Sequence, residues 1–272
     1  MKLKSPAKIN IFLEITGKDG NFHKLHSLFV RINLFDEIAV KSSNQLLISY
    51  NNQCIEGDII QKTVNLFQNY FPNANINFAF DITKNIPIGA GLGGASSNAA
   101  EILKFLILEN NIKVGAEKLL PIGREIGADV PFFLCNGTQI LNGTSLELSP
   151  ISFAIPKLWC VIAFPKWKLL TKNVFAKLSH QYTQFKHINS FDEAILRKND
   201  MQKAADEITS GLISSTLRKI SHKNAIATKM SGSGCACFSL FTEKSSATEC
   251  YNLAENNGDI EVFIAPILDK TI

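Results

Sequence analysis

The sequence predicts an α+β protein of two domains, residues 1–152 and 153–272. In the first third of the chain, β-branched and aromatic residues partly alternate with polar ones, which indicates strands. From about residue 157 the pattern restarts and reads as β-α-β-β-α-β, the order of a ferredoxin-like domain. Pro150 and Pro156 bracket a segment without a clear period, and the boundary is placed there.

The first domain is predicted to combine strands with helices. Its strands are expected at residues 8–15, 26–34, 46–50 and 76–82, and its helices at 58–71, 96–111 and 115–127. In the second helix, apolar residues recur at helical spacing, at Ile102, Leu103, Leu106 and Ile107. Residues 129–134 are expected to leave the third helix through a turn.

The second domain is predicted to place a mostly helical stretch, residues 169 to about 220, after its first strand. Its strands are expected at residues 158–164, 225–230, 235–241 and 260–268. The helix before the last strand, residues 245–257, is expected to begin with a capping box formed by Ser246 and Glu249.

Composition narrows the class of partner. The chain carries 28 basic and 24 acidic residues with no basic stripe, so no nucleic-acid partner is expected. Lys8 and Glu14 interrupt the first apolar run, and no stretch is long enough for a membrane span. A cytoplasmic protein without a membrane or protein partner is expected. The cysteines fit neither a zinc site nor a disulfide framework and are expected to be buried or half-buried thiols: Cys54, Cys135, Cys160, Cys235, Cys237 and Cys250.

A glycine-rich loop, within NIPIGAGLGGASSNAA at residues 85–100, joins a predicted strand to a predicted helix. Amide groups at a helix start and the helix dipole together attract anions, and phosphate is the expected guest. A tight turn without a ligand is the alternative. Gly89, Gly91 and Gly94 also fit the dinucleotide-binding pattern, but a second helix follows where that motif requires a strand. A P-loop is disfavoured because Ala95 stands in place of its lysine.

A second glycine-rich loop, KMSGSG at residues 229–234, lies between two predicted strands. Alone, it is compatible with an ordinary hairpin turn. With SPAKIN at 5–10 and PIGAGLGGASS at 87–97, it resembles the three signature motifs of the GHMP kinase superfamily in order and spacing. GADVPFF at 127–133 strengthens the resemblance to members that act on a cytidine-diphosphate-linked methylerythritol.

The resemblance implies both a fold and a reaction. The fold is an N-terminal domain like domain 2 of ribosomal protein S5, joined to a ferredoxin-like C-terminal domain. The reaction is phosphorylation of the 2-hydroxyl group of that small-molecule substrate, with ATP as co-substrate and Mg²⁺ as cofactor. Such a step belongs to the non-mevalonate route to isoprenoid precursors.

Catalytic roles follow from the same resemblance, which implies that Asp129 is the catalytic aspartate and Lys8 the active-site lysine. A carboxylate can accept the hydroxyl proton, and an ammonium group can stabilise the developing charge. Without the motifs, Asp129 is better explained as a turn residue and Lys8 as a solvated surface charge. The resemblance further implies that the ATP-binding residues are Lys84, Pro87, Ile88, Gly89, Ala90, Gly91, Leu92, Gly93, Gly94, Ala95, Ser96 and Ser97.

Substrate-binding roles are also implied by the resemblance. An aromatic face can stack on a base while a histidine bonds its edge, which is the role implied for Phe22 and His23. Phe22 replaces the tyrosine that the family usually has. Glu101 is either a metal ligand, by analogy, or an ordinary acid near a helix start. The full set of implied substrate-binding residues is Asn10, Phe22, His23, Thr171, Ser231, Gly232, Ser233 and Gly234.

Two stretches depart from the family pattern. Ile59 follows Asp58 where the family commonly has asparagine, and SGLI at residues 210–213 replaces Asn-Asp-Leu-Glu. Another GHMP kinase, of the mevalonate or homoserine type, remains an alternative, as does a nucleotide-binding protein without catalysis. An aromatic-histidine pair suits a base better than a small aliphatic alcohol, and the presence of both Lys8 and Asp129 favours catalysis.

Overall fold

Strands and helices follow one another along the whole chain. The computed structural model describes residues 1–20, 22–51, 53–54, 59–143, 147–167, 169–178, 181–256 and 258–268, with the backbone alone at 53–54. The strands are β1 (Lys2–Asp19), β2 (Phe22–Ser42), β3 (Leu47–Tyr50), β4 (Gln53–Cys54), β5 (Phe78–Thr83), β6 (Gln139–Gly143), β7 (Glu147–Pro150), β8 (Trp159–Phe164), β9 (Ala227–Met230), β10 (Cys237–Phe241) and β11 (Glu261–Leu268). The helices are α1 (Ile59–Tyr70), α2 (Gly94–Glu109), α3 (Ala116–Ile126), α4 (Val130–Leu134), α5 (Thr171–Ala176), α6 (Phe191–Leu196), α7 (Gln202–Ile208), α8 (Leu212–Lys219) and α9 (Lys244–Glu255).

The chain divides into two compact units that do not follow its linear order. Unit 1 comprises Met1–Ala7, Leu34–Ile88 and Gly93–Asn136. Unit 2 comprises Lys8–Asn33, Gly89–Leu92 and Gly137–Ile272. Strands β1 and β2 therefore contribute residues to both units. The domain boundary expected after residue 152 lies inside unit 2, and as a domain boundary it stays a prediction.

Unit 1 combines a mixed sheet with helices α1 to α4. In its sheet, β5 pairs antiparallel with the second part of β2 and parallel with β3. Parallel neighbours need a crossover connection, and α1 lies in the connection between β3 and β5. Helix α2 buries Ile102, Leu103 and Leu106 as predicted, and it packs against α1 and α4. The glycine-rich loop thus runs from β5 into the start of α2.

Unit 2 contains the predicted β-α-β-β-α-β order. Its strands lie in the order β11-β8-β10-β9, and each neighbouring pair is antiparallel. The first strand of the motif, β8, therefore lies between the third and the fourth, which is the split βαβ arrangement. Helix α9 connects β10 to β11 and packs on both and on β8. The ferredoxin-like prediction for this part of the chain is confirmed.

Two helical predictions were wrong in detail. Residues 130–134 form the short helix α4 rather than a turn, because Pro131 stands in its first turn and the buried Phe132 and Phe133 hold it to the core. The expected helical stretch from 169 to 220 is interrupted, since residues 181–190 are not helical and four short helices share the rest.

The hairpin of β6 and β7 and the start of α9 also differ from expectation. The sequence analysis assigned no strands to β6 and β7, although β6 pairs antiparallel with the first part of β2. Helix α9 begins at Lys244, so Ser246 lies inside it and accepts a hydrogen bond from Asn224 Nδ2. Glu249 lies beside the His222 ring instead of reaching back to a cap. The predicted capping box is therefore not formed.

The cysteine side chains that the structure describes agree with the sequence prediction. Cys160, Cys235, Cys237 and Cys250 are buried free thiols and Cys135 is a half-buried one, whereas the side chain of Cys54 lies outside the described residues. Burial raises the pKa of the Cys235 and Cys250 thiols to about 11. Among the helices that the structure describes, none is both long and apolar enough to cross a membrane.

Candidate functional site

One face of β1 carries buried polar side chains. Residues alternate between the two faces of a strand, so Lys8 and Asn10 share one face while Ile9 and Ile11 point into the apolar core on the other. Lys8 is only 4% exposed. Its Nζ donates to Asn10 Oδ1 at 2.8 Å and lies 5.2 Å from the centre of the Phe29 ring, within the range of a cation–π contact. The prediction that Lys8 belongs to a buried strand is confirmed.

The second glycine-rich loop closes over this face in unit 2. The backbone amide of Asn10 donates to Ser231 Oγ at 3.2 Å. A Cβ added to Gly232 would lie 3.1 Å from Asn10 Oδ1 and 3.5 Å from Lys8 Nζ. Asn199 Nδ2 fixes the loop by donating hydrogen bonds of 2.8 Å to the carbonyl oxygens of Met230 and Gly232. The loop therefore holds its backbone next to the Lys8 ammonium group.

The tip of the first glycine-rich loop, residues 89–92, also belongs to unit 2. Its Leu92 carbonyl accepts from the amide of Lys8, and its Ala90 carbonyl accepts from the amide of Ala236, both at 2.9 Å. Gly91 has φ +81°, and a Cβ at this position would lie 2.6 Å from the Gly234 carbonyl oxygen. Because real Cβ atoms do not approach a backbone oxygen so closely, only glycine fits here. The two glycine-rich loops are in direct contact.

In unit 1, the same loop continues into helix α2. Its N-cap is Gly93, in the left-handed conformation, so no side chain accepts from the first-turn amide groups. Free amide groups at a helix N-terminus attract anions. Ser97 Oγ, in this first turn, is completely buried and has no hydrogen-bond partner among the described residues. Leaving a buried hydroxyl unsatisfied costs about 1–3 kcal/mol, which is typical of a group that binds a ligand.

Lys84 and Asp129 are both in unit 1. The Lys84 ammonium group is paired with the Asp36 carboxylate and donates to Asn98 Oδ1 at 2.8 Å. Asp129 is half-buried at the N-cap of α4, but its side chain makes no capping hydrogen bond there. The explanation of Asp129 as a side-chain cap of α4 is therefore disfavoured. A Cβ on Gly127 would lie 3.8 Å from Ser96 Oγ, so the GADVPFF segment passes close to the start of α2.

One of the two predicted base-binding residues stacks on an aromatic ring in unit 2. The His23 ring stacks on the Phe175 ring with centroids 5.1 Å apart and planes at 26°. Phe22 is 71% exposed at the start of β2, a high value for so large an apolar side chain. Thr171 and Ser233 join their hydroxyl groups at 2.8 Å, which links α5 to the second glycine-rich loop. The sequence analysis missed Phe175, although its position four residues after Thr171 places the two on one helix face.

His26 lies inside β2 and is 1% exposed. Its Nδ1 lies 2.5 Å from Asn142 Oδ1, and its ring packs between Phe12 and Phe185. Burial lowers its pKa, so the neutral ring is favoured. A neutral, enclosed imidazole of this kind has a packing role.

A groove of about 730 Å³ in unit 2 is lined by charged residues but none of the predicted site residues. Arg197 Nη1 donates to Glu14 Oε2 at 2.7 Å, and its Nη2 donates to the Lys186 and His187 carbonyls. Burial raises the pKa of the Glu14 carboxyl, although the neighbouring guanidinium opposes the shift. Nearby, Lys229 donates to backbone carbonyls, and burial lowers its pKa to about 8. These charges are satisfied within the fold and tie the segments of unit 2 together.

The chain is similar to known proteins of one family. Residues 58–137 match the family described as GHMP kinases N terminal domain. The chain is 33% identical to a 4-diphosphocytidyl-2-C-methyl-D-erythritol kinase of Prochlorococcus marinus, covering 89% of this chain and 85% of the relative. It is 31% identical to a protein of the same name from Thermosipho melanesiensis, covering 88% of this chain and 89% of the relative.

The fold comparison points the same way. A crystal structure of 4-(cytidine 5'-diphospho)-2C-methyl-D-erythritol kinase has a TM-score of 0.84 with this chain at 24% identity, covering 98% of this chain and 99% of that one. The mixed α+β architecture is thus that of the GHMP kinases. Sequence identity of one third over nearly the full length of a relative is a family relationship, and the chain belongs to the 4-diphosphocytidyl-2-C-methyl-D-erythritol kinase family of the GHMP kinases.

Proposed function

We propose that this chain transfers the γ-phosphoryl group of ATP to the 2-hydroxyl group of 4-diphosphocytidyl-2-C-methyl-D-erythritol, in the non-mevalonate route to isoprenoid precursors. The observation that carries the proposal is the Lys8 ammonium group, buried at 4% exposure and bordered by Asn10 and Gly232. A buried cation destabilises a fold unless it is compensated, so its presence is typical of a site where negative charge develops.

In this proposal, Asp129 accepts the proton of the substrate hydroxyl. The hydroxyl oxygen forms a bond to the γ-phosphorus atom while the bond from phosphorus to the β,γ-bridging oxygen breaks, and ADP leaves. Lys8 stabilises negative charge that develops during the transfer. Phosphoryl transfer depends mainly on positioning and charge stabilisation, so these two side chains and the loop amides supply what the reaction needs.

The first glycine-rich loop is proposed to hold the ATP phosphates. Its uncapped amide groups at the start of α2 offer several donors to phosphate oxygens, and Ser96 and Ser97 add hydroxyl groups. Lys84 is proposed to lie near the nucleotide. An ammonium group has three N–H donors, so its bonds to Asp36 and Asn98 leave capacity for a nucleotide atom.

The residues at the start of α2 fit a magnesium ion. Magnesium prefers oxygen ligands and is held in such enzymes by few protein groups together with substrate phosphates. The buried Ser97 hydroxyl oxygen, without a partner among the described residues, suits this role. Glu101 follows one turn later, where it pairs with Lys104 at 2.8 Å. When bound, the ion would neutralise charge on the phosphate oxygens.

The cytidine base is proposed to bind at Phe22, His23 and Phe175. A flat base can stack on aromatic rings, and the His23 ring nitrogens can form hydrogen bonds with its edge. Asn10 and the second glycine-rich loop, Ser231 to Gly234, are proposed to bind the remainder of the substrate, with Thr171 supporting Ser233. A small aliphatic alcohol has no use for these rings, which favours this substrate over mevalonate or homoserine.

A cytoplasmic location is also proposed. Support comes from the cysteines of the described part of the chain, which are buried or half-buried free thiols. Disulfides are rare in the reducing cytoplasm, so unpaired thiols are expected there.

The test is an assay of ADP release with ATP, magnesium and 4-diphosphocytidyl-2-C-methyl-D-erythritol, with mevalonate and homoserine as control acceptors. Asp129→Asn is expected to lower kcat by about a hundredfold or more, because the variant cannot accept the proton. ATP affinity is expected to stay within about threefold in the variant. Asp192→Asn, a change at an exposed aspartate in the first turn of α6, is the matched control and is expected to leave kcat unchanged.

Activity with mevalonate or homoserine alone would contradict the substrate assignment while leaving the reaction class in place. ATP binding without phosphorylation of any acceptor would favour the non-catalytic alternative. Full activity of Asp129→Asn would exclude this residue as the base.

A further inference from the structure

A buried carboxylate lies beneath the first glycine-rich loop in unit 1. Asp36, near the middle of β2, has no exposed surface. Its Oδ1 accepts from the backbone amides of Asn85 and Ile86, both at 2.8 Å. Its Oδ2 accepts from the Lys84 ammonium group and, at 3.1 Å, from Asn98 Nδ2.

These donors come from both sides of the loop. Residues 84–86 precede it, and Asn98 stands on α2 just after it. Asn98 is also held by Lys84 at 2.8 Å and by Ser5 Oγ at 2.9 Å. One carboxylate therefore joins the chain segment that leads into the loop to the helix that leads out of it.

Close packing also joins the segment before the loop to the helix after it. A Cβ added to Gly94, the first residue of α2, would lie 3.0 Å from Ile86 Cγ2 and 3.3 Å from Asp36 Oδ2. The segments before and after the loop are thus in van der Waals contact directly above the carboxylate. Sliding of one past the other would break several hydrogen bonds at once.

A fold does not need an ion pair at this place. Taking two charges out of water is expensive, and a well-packed apolar pair often stabilises a core as well or better. Several charge-assisted hydrogen bonds fix the relative positions of the groups that they join. This precision, rather than added stability, is what the ion pair supplies here. A loop that must present its amides to phosphate groups at fixed positions needs such precision.

We propose that Asp36 is a positioning residue for ATP, which sets the spacing of the two flanks of the loop at residues 87–93 through Lys84, Asn85, Ile86 and Asn98. This inference rests on the proposed function, because it takes ATP as the ligand of the loop. It assigns Asp36 no contact with the nucleotide. Its effect on catalysis passes through the loop.

The test compares Asp36→Asn with wild type in ATP affinity, measured by calorimetry, and in the KM values of both substrates. The variant keeps the shape and one acceptor oxygen for the loop amides, but it removes the charge and turns an amide donor toward Lys84. ATP Kd and ATP KM are expected to rise at least tenfold, with the KM of the alcohol substrate within about twofold. Amide hydrogen exchange of residues 84–98 is expected to accelerate.

Asp81→Asn is the matched control. Asp81 lies on β5 in the same unit and accepts from Ser49 Oγ, on the neighbouring strand β3, at 2.6 Å. It is expected to leave the ATP Kd within about twofold of wild type. Asn98→Ala is a second, milder variant. It removes the bond that joins α2 to Asp36, together with the bonds of Asn98 to Lys84 and Ser5, and it is expected to raise the ATP Kd about threefold or more.

A folded Asp36→Asn protein with an ATP Kd within twofold of wild type would overturn the proposal, and so would equal increases in both KM values. If Asp36→Asn does not fold, an unchanged ATP Kd in folded Asn98→Ala overturns it instead. Wild-type protein that binds ATP but does not phosphorylate the alcohol would refute the proposed reaction, while the Kd comparison still decides the role of Asp36. Wild-type protein that fails to bind ATP would refute both.

Discussion

At the scale of the residue, Lys8 is the most informative side chain of the described structure. Its neighbours include Asn10, the Phe29 ring and the Gly232 backbone, so dipoles and an aromatic face contribute to the compensation of its charge. These contacts hold the ammonium group in one position, so it does not have to reorient during a reaction. Fixed charge of this kind is most effective where negative charge develops during a reaction.

Lys8→Met is therefore expected to separate activity from stability. The methionine side chain has a similar length and volume but no charge. We expect kcat to fall by about a hundredfold or more, while the melting temperature stays equal to that of wild type or rises, because a buried charge is removed. Steady-state kinetics and thermal denaturation of the same preparation measure both quantities.

Lys2→Met is the control on the same strand, since the Lys2 side chain is 76% exposed and its ion pair with Glu37 is long, at 3.5 Å. It is expected to change neither kcat nor the melting temperature. A variant at Lys8 that keeps its activity would show that the charge has a structural role only.

At this scale, the sequence predicted the burial of single residues but not the residues that they contact. The apolar neighbours of Lys8 indicate a buried strand, and that burial is confirmed. The bond from Asn10 to Ser231 spans 221 residues, and no local pattern encodes a contact of that separation. Asp36 was missed for the same reason, because its bonds to residues 84–98 depend on the pairing of β2 with β5.

At the scale of the element, the two glycine-rich loops act as a pair. Gly91 is confined by its positive φ and by the Gly234 carbonyl oxygen, so its conformation and its surroundings both exclude a side chain. Gly143 separates the two causes, since it has φ +82° and an added Cβ would meet no atom of the described residues within 4 Å.

Gly143→Ala is expected to cost about 1–2 kcal/mol of unfolding free energy from backbone strain, with an unchanged ATP KM. Gly91→Ala is expected to lose about 1–3 kcal/mol more, because the loops must move apart, and to raise the ATP KM at least tenfold. Urea denaturation and steady-state kinetics measure the two effects. Equal results for the two variants would mean that the close approach of the loops has no functional weight.

Elements were predictable where a pattern is long and local. The helix α2 and the strands of the β-α-β-β-α-β motif have clear periodicity, and these predictions are confirmed. The capping box failed because the helix begins two residues earlier, at Lys244, where packing of α9 on the sheet overrides the cap signal. Helix α4 was missed because five residues are too few to show a helical period.

At the scale of the whole molecule, the chain passes repeatedly between the two units. Strands β1 and β2 each continue from one unit into the other, and the tip of the first glycine-rich loop belongs to unit 2 while its flanks belong to unit 1. Strand order in unit 2 followed from the sequence pattern, whereas the division into units did not. The division depends on contacts between segments that are distant in the sequence, whereas a sequence pattern describes only residues that are close together in the chain.

This connectivity predicts one cooperative unfolding transition. Both tryptophans, Trp159 and Trp167, lie in unit 2, so their fluorescence reports on that unit, whereas far-ultraviolet circular dichroism reports on both. We expect the two signals to change at the same urea concentration, because loss of β1 and β2 from one unit removes them from the other. Separate midpoints would show that the units unfold independently.

The alternation of β1 has a consequence for the chain length before the site. Lys8 and Asn10 share one face of the strand because Ile9 and Ile11 occupy the alternate positions. Deleting or inserting a single residue in this strand before Lys8 would turn both polar side chains toward the apolar core and place both isoleucines on the polar face. Changes of two residues preserve the faces. Length variation near this N-terminus is therefore expected to be tolerated in even steps within the strand, or before it begins.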